Sequence, residues 1–203
     1  YGQTGSGKTH TMQGSGDGAM RGIIPRAMQQ VGKYKSELEA KGWAYEMQVT
    51  FIEIYNETIR DLLRTGSNAN SGKHDIKKDA NGGTYISDVQ VTTVDPNDAE
   101  QVEGIMRLAN SQRSVASTSM NEQSSRSHSV FRLHLRATHA EQNINLKGDL
   151  SLVDLAGSER LDRSQATGEN AKEAMAINKS LSSLKDVFTA IGNKNGHVPF
   201  RNS

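Results

Sequence analysis

A glycine-rich loop at the start of the chain constrains the fold more than any other feature. Residues 2–9 read GQTGSGKT, which matches the pattern G-x-x-x-x-G-K-[ST] without interruption. The glycines allow successive backbone N–H groups to point inward at phosphate oxygens, and the helix that follows adds the positive end of its dipole. In such a loop we expect Lys8 to reach the β- and γ-phosphates of a nucleoside triphosphate, and Thr9 to bind Mg²⁺ through its hydroxyl.

This loop also predicts a strand that lies outside the sequence. A phosphate-binding loop follows directly on a buried strand, yet only Tyr1 precedes it here. The apolar fraction of 34% and the mean hydropathy of −0.66 are low for a closed core. We therefore expect the 203 residues to be part of a larger domain, and we expect this segment to fold poorly alone.

Composition argues against several classes of protein. The chain has no cysteine, which excludes a disulfide framework and thiolate metal sites and fits a reducing compartment. A net charge of +1 argues against a broadly basic nucleic-acid binder. No apolar run approaches the roughly 18 residues of a membrane span. The six histidines lack paired ligand spacing, so we expect no metal other than one bound with nucleotide.

The periodicity of the apolar residues predicts alternating helices and strands. Helices are predicted over residues 25–41, 58–63, 95–109 and 174–191, strands over 45–55, 129–137 and 146–155, and short extended pieces at 85–86 and 89–91. Residues 65–72 are polar and rich in Gly, Ser and Asn, which predicts a surface loop. Ala99 is expected on the inward face of its helix, and Phe188 and Ile191 on that of the last helix. The alternation is typical of the α/β class.

A second motif joins a strand to a turn. Residues 150–157 read LSLVDLAG, an apolar run that ends in Asp154 and is followed by Gly157. In hydrolases with a phosphate loop, such an aspartate holds the magnesium shell through water, and the glycine N–H approaches the γ-phosphate. A strand that ends in Asp and Gly is also a common entry to a turn, but the presence of the phosphate loop favours the first interpretation.

A third motif is the hydroxyl-rich run of residues 121–128, which reads NEQSSRSH. One interpretation is an ordinary serine-rich loop whose side chains bond to nearby backbone groups. The other is a switch segment, in which Ser124 and Ser125 reach Mg²⁺ or an attacking water and Arg126 pairs with a carboxylate such as Glu159. The spacing alone does not separate the two.

The three motifs GQTGSGKT, NEQSSRSH and DLAGSER, in this order, resemble the phosphate loop, switch I and switch II of kinesin motor domains. Residues 51–63, 176–184 and 197–203 also look like kinesin segments, and residues 42–45, 55–63 and 121–123 are most similar to kinesin-14-like proteins, which have a C-terminal motor. The resemblance implies a P-loop NTPase-type mixed central sheet flanked by helices, the kinesin motor fold, truncated at both ends. Residues 1–203 would form a single partial motor domain.

The resemblance also implies roles for individual residues. Those expected around the ATP phosphates are Gly2, Gln3, Thr4, Gly5, Ser6, Gly7, Lys8, Thr9, His10, Asn121 and Ser124. Mg²⁺ would be held, partly through water, by Thr9, Ser125 and Asp154, and the catalytic residues would be Ser125, Arg126, Gly157 and Glu159. In this family the arginine closes onto the glutamate to form a gate over the γ-phosphate.

By the same resemblance, the activity is a microtubule-stimulated ATPase that drives movement, expected toward the minus end. The helix over residues 174–191 would lie against tubulin, with Lys172, Lys179, Lys185 and Arg201 as cationic candidates for that acidic surface. Lys185 and Asp162 depart from the usual kinesin pattern, one adding and one removing positive charge. A dimer formed by a coiled coil outside this chain is expected, located on cytoplasmic and spindle microtubules, with no nucleic-acid partner and no membrane span.

Two other classes of protein share part of this motif set. A GTPase would carry Asn-Lys-x-Asp to recognise guanine, and the nearest runs, at residues 178–181 and 193–196, lack the Asp. A microtubule-binding module that holds nucleotide without turnover would lack part of the catalytic set, whereas all three motifs are intact here. Comparing nucleotide preference and microtubule stimulation separates these classes.

Overall fold

The computed structural model describes residues 1–16, 18–66, 73–80, 82–116, 125–159, 169–194 and 196–202. Its helices are α1 (Lys8–Gln13), α2 (Ile23–Glu39), α3 (Ala99–Ala116) and α4 (Glu169–Gly192), with a short 3-10 turn at Gly18–Met20. Its strands are β1 (Trp43–Tyr55), β2 (Thr58–Asp61), β3 (Ile76–Lys78), β4 (Thr84–Ile86), β5 (Thr92–Thr93), β6 (His128–His139) and β7 (Ile144–Asp154).

Local sequence signals explain where α2 and α3 begin. Pro25 lies in the first turn of α2, where backbone N–H groups make no intrahelical hydrogen bond. The absence of an N–H in proline therefore costs the helix no hydrogen bond. The Asp98 carboxylate accepts the N–H of Gln101 at 2.9 Å, so it caps α3, which begins at Ala99 and not at Asp95 as predicted.

One sheet carries the fold, with strand order β2-β1-β6-β7 and β5 paired to β1. β1 pairs with β6 from Trp43↔His139 to Ile54↔His128, and β6 pairs with β7 from Ser129↔Asp154 to His139↔Ile144. All of these pairings are antiparallel. The predicted mixed sheet would also contain parallel strand pairs, and none occurs between the strands of this sheet that the structure describes. β3 and β4 form a separate hairpin.

The hydrophobic core covers one face of the sheet. Alternate residues of β1 and β6 point into it, including Val49, Phe51, Phe131 and Leu133, each at most 2% exposed. The rings of Phe51 and Phe131 meet edge to face with centroids 5.5 Å apart, a favoured aromatic geometry. Helices α2 and α3 cover these strands with Ile24, Met28, Val102, Met106 and Ala109. The alternating pattern of β1 and β6 therefore gives a sheet with one buried face.

The opposite face of the same strands is polar. It presents Gln48, Thr50, Arg132 and His134, and the His134 Nδ1 lies 2.6 Å from a carboxylate oxygen of Asp149. A hollow of about 590 Å³ lies over this face, between the strands and the β3–β4 hairpin. No described residue of the three motifs at residues 2–9, 121–128 and 150–157 lines it.

The predicted helix over residues 58–63 is wrong. This segment contains strand β2, which pairs with β1 from Ile52↔Asp61 to Tyr55↔Thr58. The two residues between the strands, Asn56 and Glu57, have φ values of 47° and 60°, so the chain reverses in a tight hairpin. β-branched Thr58 and Ile59 then suit the sheet, and the N–H of Leu62 extends the pairing by bonding to the Phe51 carbonyl at 2.9 Å.

Three further details of the prediction differ from the structure. The extended piece expected at residues 89–91 is not a strand, and the short strand β5 follows it at Thr92–Thr93. Ala99 is exposed, and Phe188 and Ile191 on α4 are 65% and 52% exposed. On α4, Ala174 and Ile177 are buried as the apolar stripe predicts, and Ser183 and Ala190 are buried as well.

Within the described ranges, no helix has the length and apolarity needed to cross a membrane.

We predict that Glu57→Gly stabilises the β1–β2 hairpin relative to Glu57→Ala. Both changes remove the same carboxylate, but only glycine is free of the Cβ clash at a φ of 60°. The expected difference is about 1 kcal/mol in local opening free energy. Hydrogen exchange of the amides in β1 and β2, measured in the full-length protein, checks it. Equal protection in the two variants would contradict the assigned backbone conformation.

Candidate nucleotide-binding and catalytic site

The phosphate-binding loop curls around the N-terminus of α1. Gly5 and Gly7 have φ values of 76° and 82°, in the left-handed region that glycine tolerates, and Gly7 is the N-cap of α1. The N–H of Ser6 bonds to the carbonyl of Gln3 at 3.2 Å and closes the turn. The side chains of Gln3, Thr4 and Ser6 are exposed, as a loop that receives a ligand requires.

Lys8 is half-buried beside this loop. Its Nζ donates to the carbonyl of Gln3 at 2.8 Å, so the ammonium lies over the loop and does not extend into solvent. A cation held at this point lies close to the loop whose N–H groups are expected to bind phosphate.

Thr9 and Asp154 meet although they are far apart in sequence. The Thr9 hydroxyl donates to Asp154 Oδ2 at 2.7 Å, which joins α1 to the end of β7. Asp154 is 3% exposed, and its Oδ1 is buried without a hydrogen-bond partner. A buried carboxylate oxygen with no donor, beside a hydroxyl, is a donor set that fits Mg²⁺. The described residues contain no cluster of three or more His, Cys, Asp and Glu side chains suited to a metal ion.

Gly157 lies where the three motifs converge. Its N–H donates to the carbonyl of Ser125 at 2.7 Å, and the next N–H, of Ser158, donates to the carbonyl of Gly2 at 3.1 Å. A Cβ on Gly157 would lie 2.6 Å from Thr4 Oγ1 and from both carboxylate oxygens of Glu159. A larger residue here would have to displace the Thr4 and Glu159 side chains, and the Gly157 and Ser158 backbone joins the segment after β7 to both other motifs.

The Glu159 carboxylate is held by the phosphate-binding loop. The Thr4 N–H donates to Oε2 at 2.8 Å, and the Thr4 hydroxyl donates to Oε1. Partial burial acts to raise the pKa of Glu159, but the hydrogen bonds from Thr4 and the charge of Lys8 outweigh it, so the pKa lies below its usual value. Glu159 is therefore an anion that accepts an N–H of the loop expected to bind phosphate.

Arg126 pairs with Glu173 and not with Glu159 in this structure, and the closure onto Glu159 expected over a bound γ-phosphate stays a prediction. The Arg126 Nη1 lies 2.6 Å from Oε2 of Glu173 on α4. The reason is that Thr4 already engages the Glu159 carboxylate, while Glu173 faces Arg126 from the first half of α4. Burial and a hydrogen bond with Glu173 raise the pKa of Tyr55, which places this phenol in the same cluster.

Sequence reasoning missed a buried ionic network behind the motifs. Glu53, which is 0% exposed, accepts from the Ser127 hydroxyl at 2.7 Å and from Arg113 Nε at 3.3 Å. Arg113 also donates to Ser127 Oγ at 3.1 Å and has Nη1 3.9 Å from Asp154 Oδ2. The available signal was a single acid in the apolar run FIEIY of β1.

Sequence reasoning also missed His128, the last residue of NEQSSRSH. Its Nδ1 accepts the N–H of Ala156 at 3.0 Å, and its Nε2 lies 2.7 Å from the Ser180 hydroxyl on α4. Burial lowers the pKa of His128 below its usual value, against the attraction of Asp154, so the ring is neutral near pH 7.

The remaining predicted site residues are exposed or lie outside the described residues. The expected tubulin contacts Lys172, Lys179, Lys185 and Arg201 are all exposed, and Lys179 Nζ lies 2.8 Å from Glu57 in the β1–β2 turn. His10 is exposed on α1. Asn121, Ser124 and Asp162 fall outside the described residues. The proposed roles of these side chains stay predictions.

A family model described as the kinesin motor domain matches residues 1–203. The chain belongs to the kinesin motor domain family. Among curated relatives, it is 49% identical over 211 residues to the kinesin-like protein KIN-14M of Arabidopsis thaliana and 44% identical over 210 residues to the kinesin-like protein KIFC1 of Homo sapiens. All of this chain is covered, but only 28% and 31% of those proteins, so it spans less than a third of their length.

Solved kinesin structures share the fold. The C-terminal motor and motor homology domain of Kar3Vik1, fused to a synthetic heterodimeric coiled coil, has a TM-score of 0.86 and 43% identity, and the match covers 100% of this chain and 51% of that one. The Kar3 motor domain of Saccharomyces cerevisiae has a TM-score of 0.83 and 45% identity, with 100% and 59% covered. These matches confirm the predicted kinesin resemblance, its kinesin-14-like branch and the α/β motor fold.

We predict that Gly157→Ala lowers nucleotide turnover in this kinesin by about a hundredfold, the usual effect of losing one positioned backbone donor. The added methyl would lie 2.6 Å from Thr4 Oγ1 and the Glu159 carboxylate, so it must displace these side chains, the Gly157 segment, or both, and disturb the site in either case. Steady-state turnover in the full-length protein measures the effect. Gly148→Ala, in strand β7, is the control, because its methyl would meet nothing within 4 Å. Equal turnover in the two variants would show that Gly157 does not lie at the reacting phosphate.

Proposed function

We propose that residues 1–203 form part of one kinesin motor domain that binds Mg·ATP, hydrolyses it and couples the hydrolysis to microtubule binding and movement. The observation that carries the proposal is the convergence of three distant motifs. Gly157 bonds to Ser125 at 2.7 Å and crowds Thr4 and Glu159, and Thr9 bonds to Asp154 at 2.7 Å. In a site built this way, residues of all three motifs lie close enough together to respond to one bound phosphate group.

Thr9 and Asp154 are the residues we assign to Mg²⁺, with Ser125 completing the set. When bound, the ion would neutralise charge on the β- and γ-phosphates. The unpartnered Oδ1 of Asp154 supports this assignment, because a buried carboxylate oxygen without a donor needs a compensating positive group. The guanidinium of Arg113 lies 3.9 Å from the other oxygen, Oδ2, and this ion pair helps to fix the orientation of the carboxylate.

The catalytic step we propose depends on an exchange of partners at Glu159. A phosphate that takes the Thr4 N–H competes with the Glu159 carboxylate, which now accepts that N–H at 2.8 Å. The released carboxylate would pair with Arg126, which would leave Glu173, and the pair would close over the γ-phosphate. Positioning of the attacking water and stabilisation of the phosphate charge would then supply most of the acceleration.

The microtubule contact we propose lies along α4. Lys172, Lys179 and Lys185 are exposed on this helix, and Arg201 is exposed beyond it. The pair between Lys179 and Glu57 is solvent-exposed, so it is worth at most about 1 kcal/mol and can be exchanged for a carboxylate of an acidic partner. These charges suit the acidic surface of tubulin.

Likeness to the kinesin-14 proteins supports movement toward the minus end. The Kar3Vik1 match, in which the motor is fused to a synthetic heterodimeric coiled coil, is compatible with the dimer that we propose to form outside these residues. On the same grounds we propose cytoplasmic and spindle microtubules as the location.

Turnover of ATP by the full-length protein, with and without microtubules, tests the proposal. We expect strong stimulation by microtubules, and a loss of about a hundredfold or more in Lys8→Ala, because the cation beside the phosphates is removed. Lys33→Ala is the matched control, since Lys33 is exposed on α2 away from the loop. Microtubule binding without stimulation would instead indicate a tether that holds nucleotide, and equal use of GTP would overturn the assignment of ATP.

A further inference from the structure

The imidazole of His128 bridges two parts of the molecule that the proposed function requires to move together. On one side is the backbone of Ala156, next to Gly157, and on the other is the hydroxyl of Ser180 on α4. His128 is 9% exposed and Ala156 is 0% exposed, so water does not compete freely for these bonds.

The direction of every hydrogen bond in this bridge follows from its chemistry. The Ala156 N–H can only donate, so His128 Nδ1 must be an unprotonated acceptor at 3.0 Å. A neutral ring then carries its proton on Nε2 and donates to Ser180 Oγ at 2.7 Å. The Ser180 hydroxyl passes its own hydrogen to the carbonyl of Ile177 at 2.8 Å. In this series of hydrogen bonds every donor therefore points the same way, from the segment after β7 toward the backbone of α4.

The ring is also a stiff connector. The two nitrogens of an imidazole cannot change their separation, so a shift of Ala156 must move Ser180 or break one of the two bonds. By contrast, the contact of Arg126 with Glu173, which also links the switch I motif to α4, uses two long side chains. His128 belongs to β6, whose pairing with β1 and β7 anchors the ring to the sheet.

We propose that His128 is a positioning residue that transmits the state of Gly157 to α4 through Ala156 and Ser180. The inference rests on the proposed function, since it assigns to this bridge the coupling between the nucleotide site and the helix that carries Lys172, Lys179 and Lys185. His128 bonds to protein groups at both nitrogens, so it acts through its neighbours and not on the phosphate.

Hydrogen exchange of α4 tests the bridge without microtubules. Exchange over residues 172–192 is compared in the full-length protein with Mg·ADP and with Mg·AMPPNP, a non-hydrolysable ATP analogue. We expect wild-type exchange rates to differ by about fivefold between the two nucleotides, the effect of one hydrogen bond, and the difference to vanish in Ser180→Ala. Ser182→Ala, an exposed serine on the same helix, should keep it, and Ser180→Thr, which keeps the hydroxyl, should restore it.

A single variant of the ring separates its two hydrogen bonds. His128→Asn keeps an acceptor near Ala156 but is too short to reach Ser180, so it should lose the α4 response while nucleotide still binds. The double variant with Ser180→Ala should be no worse than either single change, because both break the same bridge.

Either of two results overturns the bridge: a wild-type α4 that does not distinguish the nucleotides, or a Ser180→Ala variant that keeps the wild-type difference. Microtubule-stimulated ATP turnover of the same proteins is measured separately. If microtubules do not stimulate ATP turnover by the wild-type protein, the proposed function is rejected. If hydrogen exchange of α4 in the same wild-type protein still differs between the two nucleotides, and Ser180→Ala abolishes the difference, the bridge remains supported.

Discussion

The antiparallel register of β6 with β7 is the constraint on which the site depends. Ser129 at the start of β6 lies opposite Asp154 at the end of β7. Because antiparallel strands run in opposite directions, the residues before β6 and after β7 emerge at the same edge of the sheet. This edge brings Ser125 within 2.7 Å of the Gly157 N–H, and the Thr9 bond to Asp154 attaches the phosphate-binding loop to it.

A buried charge network holds that edge in place. Glu53, Arg113 and Ser127 bond to one another in the interior and link β1, α3 and the residue that precedes β6. Removing one partner of such a network leaves an uncompensated buried charge, which typically costs about 3–5 kcal/mol. The network therefore resists displacement, while the exposed contacts of Thr4 with Glu159 exchange at lower cost. A rigid support beneath exchangeable contacts is the arrangement that a nucleotide-dependent switch needs.

How far the sequence predicts this structure depends on the range of each interaction. The phosphate-binding loop, the long helices and the strands β1, β6 and β7 follow local patterns, so their positions were predictable. The hairpin after Tyr55 was not, because apolar residues at 59, 62 and 63 fit a helix as well as a strand until the sheet supplies a partner. The partner of Arg126 and the contacts of His128 depend on α4, which approaches from far along the chain. Spacing within one segment contains no information on such neighbours.

A structure of the full-length protein with Mg²⁺ and AMPPNP tests most directly the claim that three motifs build one nucleotide site. The account predicts phosphates inside the loop of residues 2–9, the metal beside Thr9 and Asp154, and the Gly157 N–H turned from Ser125 toward the γ-phosphate. It also predicts that Glu159 has left Thr4 and lies against Arg126. Nucleotide bound elsewhere, or phosphates in the loop with the Thr4–Glu159 bonds unchanged, would contradict it.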